Sequence, residues 1–300
     1  MSSFASLKQN RNATIANLTA ELEKTQQQTV SYVDDRYWKP ERDKSGNGYA
    51  VIRFLPQTDG EDLPWVRIFS HGFQGPGGWY IENSLTTLNQ KDPVSEYNTS
   101  LWNNGTEAGK EQARKQKRRL NYISNILVVK DPANPDNEGK SFLYKYGKKI
   151  FDKINDAMNP EFQDETPVNP FDFWEGAEFK LKIRTLDGFV NYDRSEFDPI
   201  TALHDGDDDF LEALWNKQYK LDELIAPDQF KGYDELKAKL NRCLGLVEDP
   251  ATSFNTTEFA GNGTATDAEE NLLSTVSTET ETEGGEEDTL SYFAKLAEEK

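Results

Sequence analysis

Between residues 110 and 153 the chain sets twelve Lys or Arg against five Asp or Glu, and interleaves them with Tyr122, Tyr144, Tyr146 and Phe151. Cations neutralise phosphates, and flat aromatic faces stack on unpaired bases at about 1–3 kcal/mol per base. The chemistry this mixture supports is non-covalent capture of a single strand of DNA or RNA, which requires no base code. Any one Tyr or Phe in a strand serves equally well as core. Aromatic residues beside charges are therefore the stronger candidates, and Phe flanked by Leu and Ile the weaker.

This basic block sits in an acidic chain of 300 residues with a net charge of −19. The acidity is uneven: residues 256–300 hold twelve acids and two bases, which leaves 41 acids and 32 bases for the rest. A single cysteine, Cys243, excludes an internal disulfide framework, and no run approaches the roughly eighteen apolar residues of a membrane span. No leader pattern precedes the first element, so an intracellular location is expected.

The elements that must hold the block in place read as mainly β. YAVIRFLP, PWVRIFSHGF and WYIE are short runs bounded by Pro and Gly, and GPGG marks a turn between the last two. YISNILVVKDP, SFLYKYGKKI and AEFKLKIRTLDGFVNY continue the series. Such spacing suggests a small antiparallel barrel with long inserted loops, and a two-sheet sandwich would satisfy the same pattern. Residues 208–243 read as helical, with Phe210, Leu211 and Leu214 on one face and Phe230, Tyr233, Leu236 and Leu240 on another. Residues 1–28 form an arm in which Lys8 and Arg11 precede Ile15, Leu18 and Leu22 at helical spacing. Beyond Pro250 the composition is too polar to offset its ordering entropy, so residues 251–300 read as a largely disordered acidic tail.

The strings NGYAVIRFLP, HGF followed by GGWYIE, SNILVVKDPANPDNEGKSFLYKYGKKIFDKIN, FWEGAEFKLKI and GFVNYDRSEF resemble the core of the single-stranded DNA-binding, helix-destabilising proteins of T4-like bacteriophages. The likeness spans roughly residues 46–240. It implies an α+β protein in three parts: an arm (1–28) for cooperative self-association through Lys8 and Arg11, an OB-fold core (29–250), and an acidic tail (251–300) that docks phage replication and recombination proteins. It implies DNA contact by Trp79, Tyr122, Tyr144, Phe189 and Tyr192. Trp102 takes the place of a cleft tyrosine, Phe151 replaces a Trp, and Ile123 interrupts an aromatic pair. Lys117, Arg118, Arg119, Lys145, Lys148 and Lys149 are the implied phosphate contacts. The setting is the host cytoplasm, with no membrane partner.

The family's T4 type holds a structural zinc through one His and three Cys. Here His71 is kept, but Ser84, Asp92 and Ser95 stand at the cysteine positions. Two hydroxyls and a carboxylate do not complete a tetrahedral zinc site, so neither a metal nor any other cofactor is expected. His71 is then an ordinary hydrogen-bonded histidine, and the insert from Ser84 to Gly109 is expected to rely on packing through Leu88, Tyr97 and Trp102.

Two other classes are open to the sequence. In HDGDDD, Asp205, Asp207, Asp208 and Asp209 could hold a metal for phosphoryl chemistry. Such sites draw carboxylates from separated strands, whereas a contiguous run suits a helix N-terminus. GPGG lacks the Lys and Ser or Thr of a phosphate loop, and no nucleophile and base pair stands out, so no enzyme is expected. The second class is an acidic-tailed interaction protein or chaperone, its middle lysines lying along a core.

Overall fold

The computed structural model describes residues 34–246, Gln163 and Asp187 excepted. The arm, with Lys8 and Arg11, and the acidic tail lie outside the described residues. Nine strands form the sheet: β1 (Tyr37–Trp38), β2 (Gly48–Phe54), β3 (Val66–Gly75), β4 (Gly78–Asn83), β5 (Arg119–Lys130), β6 (Ser141–Tyr146), β7 (Phe179–Leu186), β8 (Phe189–Asn191) and β9 (Glu196–Phe197). Among the described residues five α-helices accompany them: α1 (Pro93–Asn103), α2 (Glu107–Lys115), α3 (Lys148–Met158), α4 (Asp208–Trp215) and α5 (Tyr233–Leu244).

The sheet is organised around β5, which is buried from Asn121 to Val128. Along one edge it pairs antiparallel with β6, from Tyr122 opposite Tyr146 to Leu127 opposite Ser141. Its other edge is shared. The first half pairs with β3, from Arg119 opposite Ser70 to Ile123 opposite Val66, and the second half pairs with β2, from Ile126 opposite Phe54 to Lys130 opposite Val51. From β2 the ladder continues to β7 and β8, with β9 also on β7, while β4 folds back on β3. The mixed, sheet-rich class expected from the sequence is what the fold has. The barrel expected with it does not close among the described residues: the path runs β1-β6-β5-β2-β7-β8, and its two ends do not pair.

Strand alternation sorts the side chains. In β7, Phe179, Leu181 and Ile183 enter the main core, and Lys180, Lys182 and Arg184 face outward, where they pair with Asp198, Glu196 and Asp193. Ile52, Phe54, Ile126, Val128, Ile150 and Ile154 complete that core between the sheet and α3. Arg53, between two core residues of β2, is fully buried on the opposite face. Its guanidinium donates to the carbonyls of Asp172 at 2.8 Å and Thr201 at 3.0 Å, knitting two loops together. Gly176 permits this approach, because a Cβ there would lie 2.2 Å from the Asp172 oxygen.

The helical reading of residues 208–243 resolves into α4 and α5, separated by two 3-10 turns, with Leu211, Leu214, Leu236 and Leu240 buried. Asp207 caps α4 by accepting from the amides of Asp209 and Phe210, so the HDGDDD run is a solvated helix start. The insert carries two helices that its polar sequence did not announce. Asp92 caps α1, with Pro93 in its first turn, and Thr106 caps α2. Its apolar anchors are Leu85 and Val94, which join Phe73, Tyr80, Leu236 and Leu240 in a second core; Tyr97 packs on their margin, and Trp102 beside Leu101 on Ala113.

Candidate nucleic-acid interface

Antiparallel pairing puts directly opposed residues on the same face of a sheet. Arg67 on β3, Tyr122 on β5 and Tyr146 on β6 therefore form one row across three strands. The next pairs on that face are Phe69 with Leu120 and Ser124 with Tyr144. The rings continue as a ladder: Tyr144 to Tyr146 at 5.4 Å between centroids, Tyr146 to Tyr122 at 5.8 Å, and Tyr122 to Phe151 at 3.9 Å and only 4° from parallel. Trp65 meets Phe151 edge-on at 5.5 Å. Trp38 meets Tyr144 likewise at the other end, with its indole N–H donating to Asp131.

Of the aromatic candidates, Tyr122 and Tyr144 lie inside this ladder at 7% and 3% exposure, whereas Phe189 is 36% exposed at the turn of the β7–β8 hairpin. Tyr192 packs at the margin of the main core. Lys153 on α3 donates to the Asp193 carbonyl at 3.1 Å, which ties that loop to the helix. Trp79 sits half-buried on β4 opposite Gln74, and Trp102 on α1 lies 5.5 Å beneath the Arg114 guanidinium.

The cations reach the ladder from two directions. Lys117, Arg118 and Arg119 follow the C-terminus of α2 and run directly into β5, with Arg118 over the Phe69 ring at 4.2 Å. Lys148 and Lys149 occupy the first turn of α3, where acidic residues would be the usual choice. No side chain caps that turn, since Gly147 holds the N-cap position, so its amides and dipole add to the lysine charges in favouring an anion. Phe151, two residues on, lies flat on Tyr122. Lys145 opposes Ile123 and so projects from the reverse face to Tyr144 and Tyr146.

Arg67 was missed in the sequence. It is exposed and opposite Tyr122, and the outward position in the alternating VRIF segment was the available signal.

The four residues at the family's zinc positions do converge. His71, Ser84, Asp92 and Ser95 are all buried. Asp92 Oδ1 accepts from the amides of Val94 and Ser95 at 3.0 Å, and Oδ2 accepts from Leu85 N at 3.1 Å. His71 Nε2 lies 3.3 Å from Asp92 Oδ1, an ion-pair distance without hydrogen-bond geometry, and Nδ1 meets the Gln116 carbonyl at 2.9 Å. A carbonyl only accepts, so Nδ1 carries a proton. Burial alone would raise the Asp92 carboxyl, but His71 and the amide donors outweigh it and hold it at about 2. Both carboxylate oxygens are committed to backbone. Apart from His71 Nε2, a single imidazole donor, the unpartnered buried atoms nearby, Ser95 Oγ, Tyr80 OH, Asn98 Oδ1 and Gln116 Oε1, are hydroxyl and amide oxygens, which are poor zinc ligands. The set does not fit a tetrahedral zinc.

Comparison with known proteins agrees with this geometry. The profile of the family described as "gp32 DNA binding protein like" matches residues 46–244. The single-stranded DNA-binding protein of Enterobacteria phage T2 is 41% identical over 220 residues, covering 71% of this chain and 72% of the relative. That of Enterobacteria phage T4 matches with the same identity and coverage. A single-stranded DNA-binding protein of Escherichia phage SV14 is 46% identical over 66 residues, covering 21% of this chain and 58% of the relative.

Proposed function

This chain belongs to the gp32-like family of DNA-binding proteins, and on that premise we propose that it is a sequence-independent single-stranded DNA-binding protein that coats strands exposed in phage replication, recombination and repair. The observation that carries the reading is the junction of α3 with β5. One helix presents Lys148 and Lys149 at an uncapped N-terminus and lays Phe151 on Tyr122, so phosphate-seeking charge adjoins the aromatic face.

The backbone enters along Lys117, Arg118, Arg119 and Arg67 and leaves past Lys148 and Lys149. Lys145 projects from the reverse face of β6 and stands off that path. Phe189, Tyr192, Trp79 and Trp102 offer their partly open rings to bases, and Tyr122 and Tyr144 support them from within the ladder. We read the forked sheet as an OB-type core; the division of β5 between β2 and β3 supports this. The arm, through Lys8 and Arg11, links neighbouring molecules, and the acidic tail docks replication and recombination proteins in the host cytoplasm. The reading includes no catalytic group and no metal. Because the protein binds single strands in preference to duplex, mass action lowers duplex stability.

Titrating the full chain with a homopolymer strand across a salt series, with tryptophan fluorescence as the signal, tests the reading. Quenching with a steep, negative dependence of affinity on salt is expected for every base composition. A strand that neither quenches nor shifts in mobility, or one that is degraded, overturns it.

A further inference from the structure

The insert between β4 and β5 delivers the Lys117–Arg119 run, and its two ends meet at one imidazole. At its start, Asp92 gathers the amides of Leu85, Val94 and Ser95, which fixes the 3-10 turn Leu85–Leu88 to the first turn of α1. At its end, the carbonyl of Gln116, the C-cap of α2, receives His71 Nδ1 at 2.9 Å and Asn98 Nδ2 at 3.1 Å. His71 belongs to β3, and its other nitrogen faces Asp92. A single buried side chain on the sheet thus touches both ends of a segment that is also held by apolar clusters, by Thr87 and Ser84 on Phe69 and by Tyr233 on Glu96. Gln116 immediately precedes Lys117, so whatever fixes its carbonyl also sets where the basic run begins.

We infer that His71 and Asp92 are positioning residues for the nucleic-acid interface: together they close the insert without a metal and hold the Gln116 carbonyl so that Lys117, Arg118 and Arg119 enter β5 aimed at the strand. The inference rests on the strand-binding reading for its second half and is independent of it for its first. It assigns to a buried carboxylate, through hydrogen bonds to three amides, the tethering that the donor set cannot supply through zinc.

Two arms separate these halves. In the first, the purified full chain is melted with and without 1,10-phenanthroline, and zinc released on denaturation is measured with a metallochromic dye. An unchanged midpoint and far less than one zinc per chain are expected; stoichiometric zinc, or a midpoint lowered by the chelator, overturns the metal-free closure. In the second, His71→Ala is compared with His71→Asn, whose amide can still donate to the Gln116 carbonyl. For His71→Ala the slope of log affinity against log salt is expected to flatten by roughly 0.7 for each phosphate that is no longer neutralised, up to about 2. His71→Asn should recover much of that slope. A lower melting midpoint with an unaltered slope in both variants reduces the pair to a structural role and overturns the positioning assignment. Should His71→Ala fail to fold, His71→Asn and Asp92→Asn are read against the wild type, and normal slopes in both again overturn it. A wild-type chain that does not bind the strand at all refutes the functional reading and leaves the first arm standing.

Discussion

Replacing Lys117, Arg118 and Arg119 together by Ala tests the interface with the least disturbance to the fold. Lys117 and Arg118 precede β5, and Arg119 is its first residue, paired with Ser70 at the end of the β3–β5 ladder. None of the three is in a core cluster. Each phosphate neutralised on a single strand contributes about 0.7 to the slope of log affinity against log salt, so removing three cations from the backbone takes away roughly 2. Over a fourfold rise in salt the variant should therefore lose about 18-fold less affinity than the wild type, a difference that follows directly from that slope. Arg118 also leaves the Phe69 ring, a cation–π pair at 4.2 Å worth about 0.5–1 kcal/mol. A small fall in thermal midpoint is thus expected beside the binding change. The assay is a fluorescence titration at four or more salt concentrations with two homopolymers, with circular dichroism as the control for folding. Equal weakening on both polymers is expected, since phosphate contacts carry no sequence information. A folded variant with the wild-type slope would remove these residues from the path of the strand and with them the argument that links α2 to β5.

Acid should act through Asp92. Its carboxyl is held at about 2 against 3.8 in the reference state, so the folded form resists protonation; the stabilisation is complete above about pH 4 and is lost as pH falls through 2. Urea midpoints between pH 2 and 6 should show a loss of about 2 kcal/mol that is absent in Asp92→Asn. Arg53→Ala takes the guanidinium donor from the Asp172 and Thr201 carbonyls and opens a cavity where the buried side chain stood, at a cost of roughly 2–4 kcal/mol in chemical denaturation. A midpoint within error of the wild type would show that those loops hold without it. A chain ending at Pro250 should bind the strand as tightly as the full chain or more so, because the removed residues carry a net charge opposed to phosphate capture. Weaker binding by the shortened chain in the same titration would count against that competition.

Much of this architecture was legible because strand and helix periodicities are strong where one face is buried. VRIFSHGF, NILVV and FKLKI carry the β3, β5 and β7 patterns, and Leu211, Leu214, Leu236 and Leu240 mark the inward faces of α4 and α5. α1 was not read from its pattern: Val94, Tyr97, Leu101 and Trp102 recur at helical spacing, but Ser, Asn, Thr and Glu dilute them over a short segment. Its signal was local, an Asp before a Pro, which is N-cap chemistry. Tyr122, Tyr144, Tyr146 and Phe151 of the aromatic block meet in one ladder, but stacking and packing cannot be told apart by residue type. The face of the strand decides, and opposed registers put Tyr122, Tyr144 and Tyr146 into one ladder. The same period of two already separates Lys145 from its neighbour Tyr144. His71 was read as an ordinary hydrogen-bonded histidine and is hydrogen-bonded, but its pairing with Asp92 depends on a turn 21 residues away that no local signal encodes.

The fork at β5 has a consequence for molecules crowded side by side. The longest strand has partners along both edges, while the strands that end the hydrogen-bonded path, β1 and β8, are two and three residues long. Unpaired edges are where sheets of different molecules anneal, and stubs of this length offer little ladder to extend. At those two ends, then, the fold offers a neighbouring molecule few main-chain groups with which to extend its sheet.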